Sequence, residues 1–215
     1  MTLTIYGDSI SGNCLKVKWT ADRLGLDYEW VEVDVVAGAT RTQEFRALNP
    51  AAQVPTVVLA DGRTLAQSNA IMVHLAEGTD LIPTDSYWRA KMFEWLFWEQ
   101  YSHEPYIAVR RFQLKYLKKV EADLDPRLMQ GGEAALARMQ AWLAASPFLV
   151  DRHLTLADIC LVAYTRLAHE GGFDLARYPA VRDWVGRVEE ALVLEPVLGH
   201  SLGLKPATAR SLPGG

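Results

Sequence analysis

Strand-forming patterning in this 215-residue chain stops near residue 80. Before that point, short runs of β-branched and aromatic residues alternate with segments of helical period. After it no convincing strand is found, and the two parts must therefore fold into different kinds of layer. Residues 2–6 predict a strand, and residues 13–25 a helix with Cys14, Val17, Ala21 and Leu24 along one face and Gly25 as its stop. Residues 28–35, YEWVEVDV, alternate apolar and charged positions like a half-buried strand. A short helix over 41–48 comes next. VPTVVLA and RTLA then flank Asp61-Gly62 as two strands around a tight turn, and 68–77 read as a helix. The order is β-α-β-α-β-β-α. A helix between the first two strands suits a parallel crossover, and the hairpin suits antiparallel pairing.

From residue 81 the pattern is helical. LIPTDS (81–86) reads as a linker around Pro83, and 86–119 as a long aromatic helix with Phe93, Phe97 and Tyr101 at four-residue steps. Pro105 should kink or interrupt it. Further helices fit 127–145, 155–170 and 179–191, with Gly171-Gly172 ending the second of these. The organisation expected is a domain over 1–80, a linker over 81–86, a helical domain over 87–202, and a loosely held tail over 203–215.

Charge narrows the function classes. The chain carries 22 Lys and Arg against 26 Asp and Glu, and residues 1–80 alone hold six against ten. Without a concentrated basic patch, no nucleic-acid partner is expected. The opening MTLTIYGD lacks a secretory pattern, and no apolar run reaches the roughly 18 residues of a membrane span. Cys14 and Cys160 form neither a CxxC pair nor a metal spacing, so the chain reads as cytoplasmic, free of a structural disulfide and without a metal.

The stretch SISGNC (9–14) falls between the first strand and the first helix. Free N–H groups at a helix start favour an anion, and Ser11 can place a hydroxyl beside it. Ser11 or Asn13 serves equally well as a plain N-cap.

Four segments together resemble one family. SISGNCLKV occupies the place of its catalytic loop. FRALNPAAQVP (45–55) resembles an F-x-x-x-N-P-x-x-x-V-P segment, QSNAI (67–71) an E/Q-S-x-A-I helix start, and FLVDRHLTLAD (148–158) an F-L-x-G-x-x-x-(S/T)-x-A-D signature. In this order and spacing they resemble a cytosolic glutathione transferase of the bacterial, serine-type, theta-like kind. The resemblance spans nearly the whole chain and implies a thioredoxin-like α/β domain followed by an all-α domain.

The resemblance implies roles. Val54-Pro55 is the bond the family keeps cis, with the Val54 backbone pairing with the tripeptide. Gln67 and Ser68 would hold the γ-glutamyl end at a helix N-terminus. Arg41 and Gln53 are the choices for the glycyl carboxylate. Ser11 stands at the catalytic serine position, with Asn13 and then Ser9 as competitors. A thiol of pKa near 8.5 needs roughly 2.7 kcal/mol to ionise two units lower, which a hydroxyl donor and a helix N-terminus together supply. Tyr101, His103, Tyr106 and Arg110 would face the second substrate, a small hydrophobic electrophile. Cys14 reads as a buried small residue, and Thr155-x-x-Asp158 as a capping box with a folding role. The resemblance also implies a homodimer. A glutathione-dependent disulfide oxidoreductase and a non-enzymatic binding protein of the same fold are the alternatives.

Overall fold

The computed structural model describes residues 2–197. The expected tail over 203–215 and the end of the helical segment at 198–202 lie outside them. β1 (Leu3–Gly7) leads through a short loop into α1 (Gly12–Arg23), which returns the chain to β2 (Tyr28–Glu32). A 3₁₀ turn at Ala39–Arg41 precedes α2 (Gln43–Leu48), and the hairpin β3 (Thr56–Val58) and β4 (Thr64–Ala66) leads to α3 (Ser68–Ala76). The sheet runs β2-β1-β3-β4, parallel between β1 and β2 and antiparallel elsewhere. Ile5 pairs with Val57 at its centre, and both side chains are fully buried. This is the α/β architecture the patterning predicts, with shorter strands.

The segment after α3, read as a linker, is tied down by packing at its start. Leu81 and Ile82 are buried, and the Leu81 carbonyl accepts the N–H of Leu156 at 3.1 Å. α4 (Ser86–Trp98) and α5 (Glu104–Lys115) form the long aromatic segment, joined by a π-helical turn at Glu99–His103. Pro105 lies in the first turn of α5, where its missing N–H costs nothing, and the π turn takes the place of a kink. α6 (Pro126–Leu143), α7 (Leu156–Thr165) and α8 (Pro179–Ala191) complete the domain, with Gly172 at φ 81 closing the 3₁₀ turn Ala168–Gly171.

α7 is the axis of the molecule. Every one of its residues is buried, as expected for a helix that is apolar all round. Its start is fixed by Asp158, whose buried carboxylate accepts from the N–H groups of Leu149 and Thr155 and from Trp184 Nε1, at 2.9–3.0 Å. The capping box forms as predicted. Asp151, where the signature has glycine, sits at φ 52, a left-handed position that aspartate tolerates better than most residues. α7 packs across both α1 and α3, which brings the helical domain against the loop at residues 8–13.

Candidate active site

A cleft of about 660 Å³ opens where the first domain meets α5 and α7. Its floor is the loop after β1. Asp8 shapes that loop by accepting the N–H groups of Ile10 and Val35, each at 3.0 Å, and so ties it to the segment after β2. Ser11 is the N-cap residue of α1 by backbone geometry, yet its hydroxyl makes no capping bond and lies instead beside the Cys14 thiol and the Tyr164 phenol. Asn13, in the first turn of α1, has its amide oxygen bonded by Lys16 Nζ at 2.8 Å and Ser68 Oγ at 3.2 Å. Its backbone N–H goes to the phenol oxygen of Tyr164.

The other side of the floor is the turn before β3. The Val54–Pro55 peptide is cis. Neither the N–H nor the carbonyl of Val54 has a partner among the described residues. Asn49 stiffens this turn through Nδ2, which donates to the Gln53 carbonyl and the Thr56 hydroxyl. α3 begins at Ser68 immediately beside it, and Gln67, its N-cap residue, is held at φ 71 and ψ 111. That conformation is costly for a residue with a side chain, about 1–3 kcal/mol, and such strain concentrates at functional sites.

Several expected residues meet here and others do not. Ser11, Asn13, Gln53, Val54, Pro55, Gln67 and Ser68 all line the cleft. Ser9 is exposed outside it, with its N–H on the Glu32 carboxylate. Arg41 is exposed and off the cleft, and the wall there is its neighbour Thr40. None of the four residues expected to face the second substrate does so. Tyr101 is 84% exposed on the outer surface, and His103 is fully buried, its Nε2 2.9 Å from the Thr165 hydroxyl. The Tyr106 ring lies against Gly131. Arg110 is buried, bonded to the Gly171 carbonyl and to Glu121. The cleft wall is instead Gln100, Glu104, Ala108, Arg111 and Phe112, on the neighbouring face of the same helical segment. Polarity misled the sequence reading because His103 and Arg110 have inward partners.

Behind the floor is a charged network that no local motif announces. Lys16 and Glu99 are both fully buried and bonded at 2.8 Å. Burial by itself disfavours the Lys16 ammonium, yet Cys160, Glu99 and Tyr164 around it hold its pKa above the ordinary lysine value. Burial likewise opposes the Glu99 carboxylate, and Lys16 more than offsets it, leaving its pKa lowered. Burial pushes His103 down to about 4, the Tyr164 phenol up to about 12 and the Cys14 thiol up to about 11. Cys14 is thus an inert core thiol at neutral pH. Glu104, on the helical wall and facing the Asn13 side chain, is raised by burial and by the neighbouring charge of Glu99.

Tyr164, Glu104 and Arg111 are cleft residues that the sequence reading missed. Arg111 donates to the Ile10 carbonyl at 3.1 Å and pairs with Glu170, so it straps the floor loop to the helical domain. Only long-range packing assembles these contacts.

A sheet of order β2-β1-β3-β4 with a cis-proline turn beside an exposed helix N-terminus, docked on an all-helical domain, defines a two-domain protein of thioredoxin-like type. Residues 10–77 match the family described as glutathione S-transferase, N-terminal domain, and residues 96–191 match glutathione S-transferase, C-terminal domain. The chain is similar to glutathione S-transferase 3 of Zea mays, with 31% identity over 95% of each chain. It is also similar to the disulfide-bond oxidoreductase YfcG of Escherichia coli (strain K12), with 27% identity covering 87% of this chain and 88% of that one. Among solved structures, a glutathione S-transferase from Pseudomonas fluorescens [Pf-5] superposes with a TM-score of 0.87 and 44% identity, covering 92% of this chain and all of the other. The chain belongs to the glutathione S-transferase family.

Proposed function

We propose that the chain binds glutathione in this cleft and holds it as a thiolate for attack on a small electrophile. One observation carries the reading. Three kinds of donor meet at one floor: the Val54 backbone, unpartnered among the described residues, the α3 N-terminus at Ser68, and the side chains of Ser11 and Asn13 at the α1 N-terminus. They match, in turn, the main chain, the γ-glutamyl carboxylate and the sulfur of a γ-glutamyl tripeptide. Gln53 is the remaining cleft candidate for the glycyl end. Ionising the thiol two units below about 8.5 needs roughly 2.7 kcal/mol, within reach of two donors and a helix end.

The wall facing the sulfur mixes Ala108 and Phe112 with Gln100, Glu104 and Arg111, which suits an electrophile with an apolar body and a polar group. A second reading, glutathione-dependent disulfide exchange, is favoured by the central place of Asn13 and the relative named as a disulfide-bond oxidoreductase. As a cytoplasmic homodimer, the protein would cover Phe97, 72% exposed, and Tyr101 with a second copy.

The test is a pH titration of thiolate ultraviolet absorbance with bound glutathione, in wild type, Ser11→Ala and Asn13→Ala. A lowered thiol pKa that either variant loses supports the reading. No binding by the wild type overturns it in favour of a binding protein of other specificity. Turnover with a disulfide and none with carbon electrophiles selects the second reading.

A further inference from the structure

A buried ion pair is a poor way to stabilise a fold, since apolar residues of similar volume do as well or better. Lys16 and Glu99 nevertheless stand with no exposed side-chain surface, one from each domain. Their remaining bonds suggest what the pair does. One Glu99 oxygen takes Lys16, and the other takes Gln100 Nε2 at 2.8 Å and the Cys160 thiol at 3.3 Å. Lys16 Nζ also donates to Asn13 Oδ1 at 2.8 Å, the oxygen that accepts from Ser68.

An amide oxygen occupied by an ammonium and a hydroxyl cannot exchange places with its own N–H₂ group, because that would set donors against donors. The N–H₂ of Asn13 is therefore the end left for the cleft, toward Glu104. A cation on the carbonyl also polarises the amide and strengthens its N–H₂ as a donor.

We propose that the Lys16–Glu99 pair is a positioning device for thiolate formation: it fixes the Asn13 amide with its N–H₂ toward the sulfur of the bound thiol. This rests on the reading of Asn13 as a sulfur donor. Glu99 reaches Lys16 from the first residue of the π turn, so sulfur activation in the first domain depends on a carboxylate of the second.

The experiment is a double-mutant cycle read by the thiol pKa of bound glutathione. Lys16→Met with Glu99→Met removes both charges at nearly constant volume and leaves the net charge unchanged. This double variant should bind glutathione with a Kd within about threefold of wild type, because the Val54 and Ser68 contacts remain, while the thiol pKa rises by about one unit. Adding the pair replacement to Asn13→Ala should raise it no further. A rise of equal size in the Asn13→Ala background would overturn the proposal, since the pair would then act through its field and not through Asn13. An Asn13→Ala variant with a wild-type thiol pKa would overturn it together with the reading of Asn13. An unchanged thiol pKa in the double variant, with Asn13→Ala raising it, would overturn the proposal alone. If the double variant is unfolded at assay temperature, Lys16→Met/Glu99→Gln, which also removes both charges but keeps an amide beside Gln100 and Cys160, carries the same expectation, and thermal melts accompany every variant.

Discussion

The phenol oxygen of Tyr164 accepts the backbone N–H of Asn13 at 3.2 Å, joining the last turn of α7 to the first turn of α1 across 151 residues. The contact requires Gly12. A Cβ there would stand 2.7 Å from Cε1 and Cζ of the Tyr164 ring, well inside van der Waals contact. Gly12→Ala should therefore displace the ring and open the domain junction, at a cost of about 1–3 kcal/mol. Urea denaturation reads the stability, and kcat/KM for a glutathione conjugation should fall with it. A variant with wild-type stability and activity would show that the ring can move aside freely.

Removing one member of the buried ion pair should be far worse than removing both. Lys16→Met alone leaves the Glu99 carboxylate without its cation in the interior, a loss of about 3–5 kcal/mol. The Lys16→Met/Glu99→Met combination should recover most of that. Chemical denaturation of the single and double variants tests the ordering.

His103 makes the fold acid-sensitive. Its pKa is about 4 in the folded protein against 6.5 for the ordinary group, lowered by burial and by the Lys16 charge, while Glu99 opposes the shift. Between those values the unfolded chain binds a proton that the folded chain refuses, so stability is full above pH 6.5 and falls as pH drops toward 4. The loss accumulates to about 3 kcal/mol. His103→Gln, which can still bond the Thr165 hydroxyl, should flatten the slope of the urea midpoint over this window. An unchanged slope would move the acid sensitivity to other groups.

Gln67 should show a trade between stability and binding. Its φ of 71 is relieved in Gln67→Gly, so the glycine variant should be at least as stable as Gln67→Ala, by about 1 kcal/mol or more. Both should bind glutathione more weakly, because both lose the side chain at the cleft. Thermal melts and isothermal titration separate the two effects.

Glu104 should oppose the thiolate. Its carboxyl faces Asn13 within the cleft, and a negative charge there disfavours a second one on sulfur. Glu104→Gln should lower the thiol pKa of bound glutathione by up to about one unit. A shift upward would mean that Glu104 keeps its proton and donates it to the sulfur.

Sequence periodicity reached far in the first domain. Alternation in 28–35 and the Asp61-Gly62 turn gave strands whose pairing followed, and the sequence motifs brought Ser11, Asn13, Val54 and Ser68 to one floor. Each of those residues is positioned by its own strand end, turn or helix start, and so its place is written locally. The helical wall was not legible in the same way. Whether His103 or Glu104 faces the cleft depends on the phase of α5, and one π turn sets that phase. The place of Tyr164 shows only when α1 is laid against it, and that of Lys16 only when Glu99 is found beneath it.

The π turn at Glu99–His103 has a consequence for how such a protein can diversify. An α-helix advances about 100° per residue, so gaining or losing one residue in that turn rotates everything downstream by roughly that angle. Here it leaves Gln100, Glu104, Ala108 and Arg111 on the cleft and turns His103 and Arg110 into the core. A single-codon insertion or deletion could thus exchange the whole set of side chains that meets the electrophile while β1, α1 and the cis-proline turn stay untouched. New specificities would then arise in one step of register, with the sulfur chemistry inherited intact.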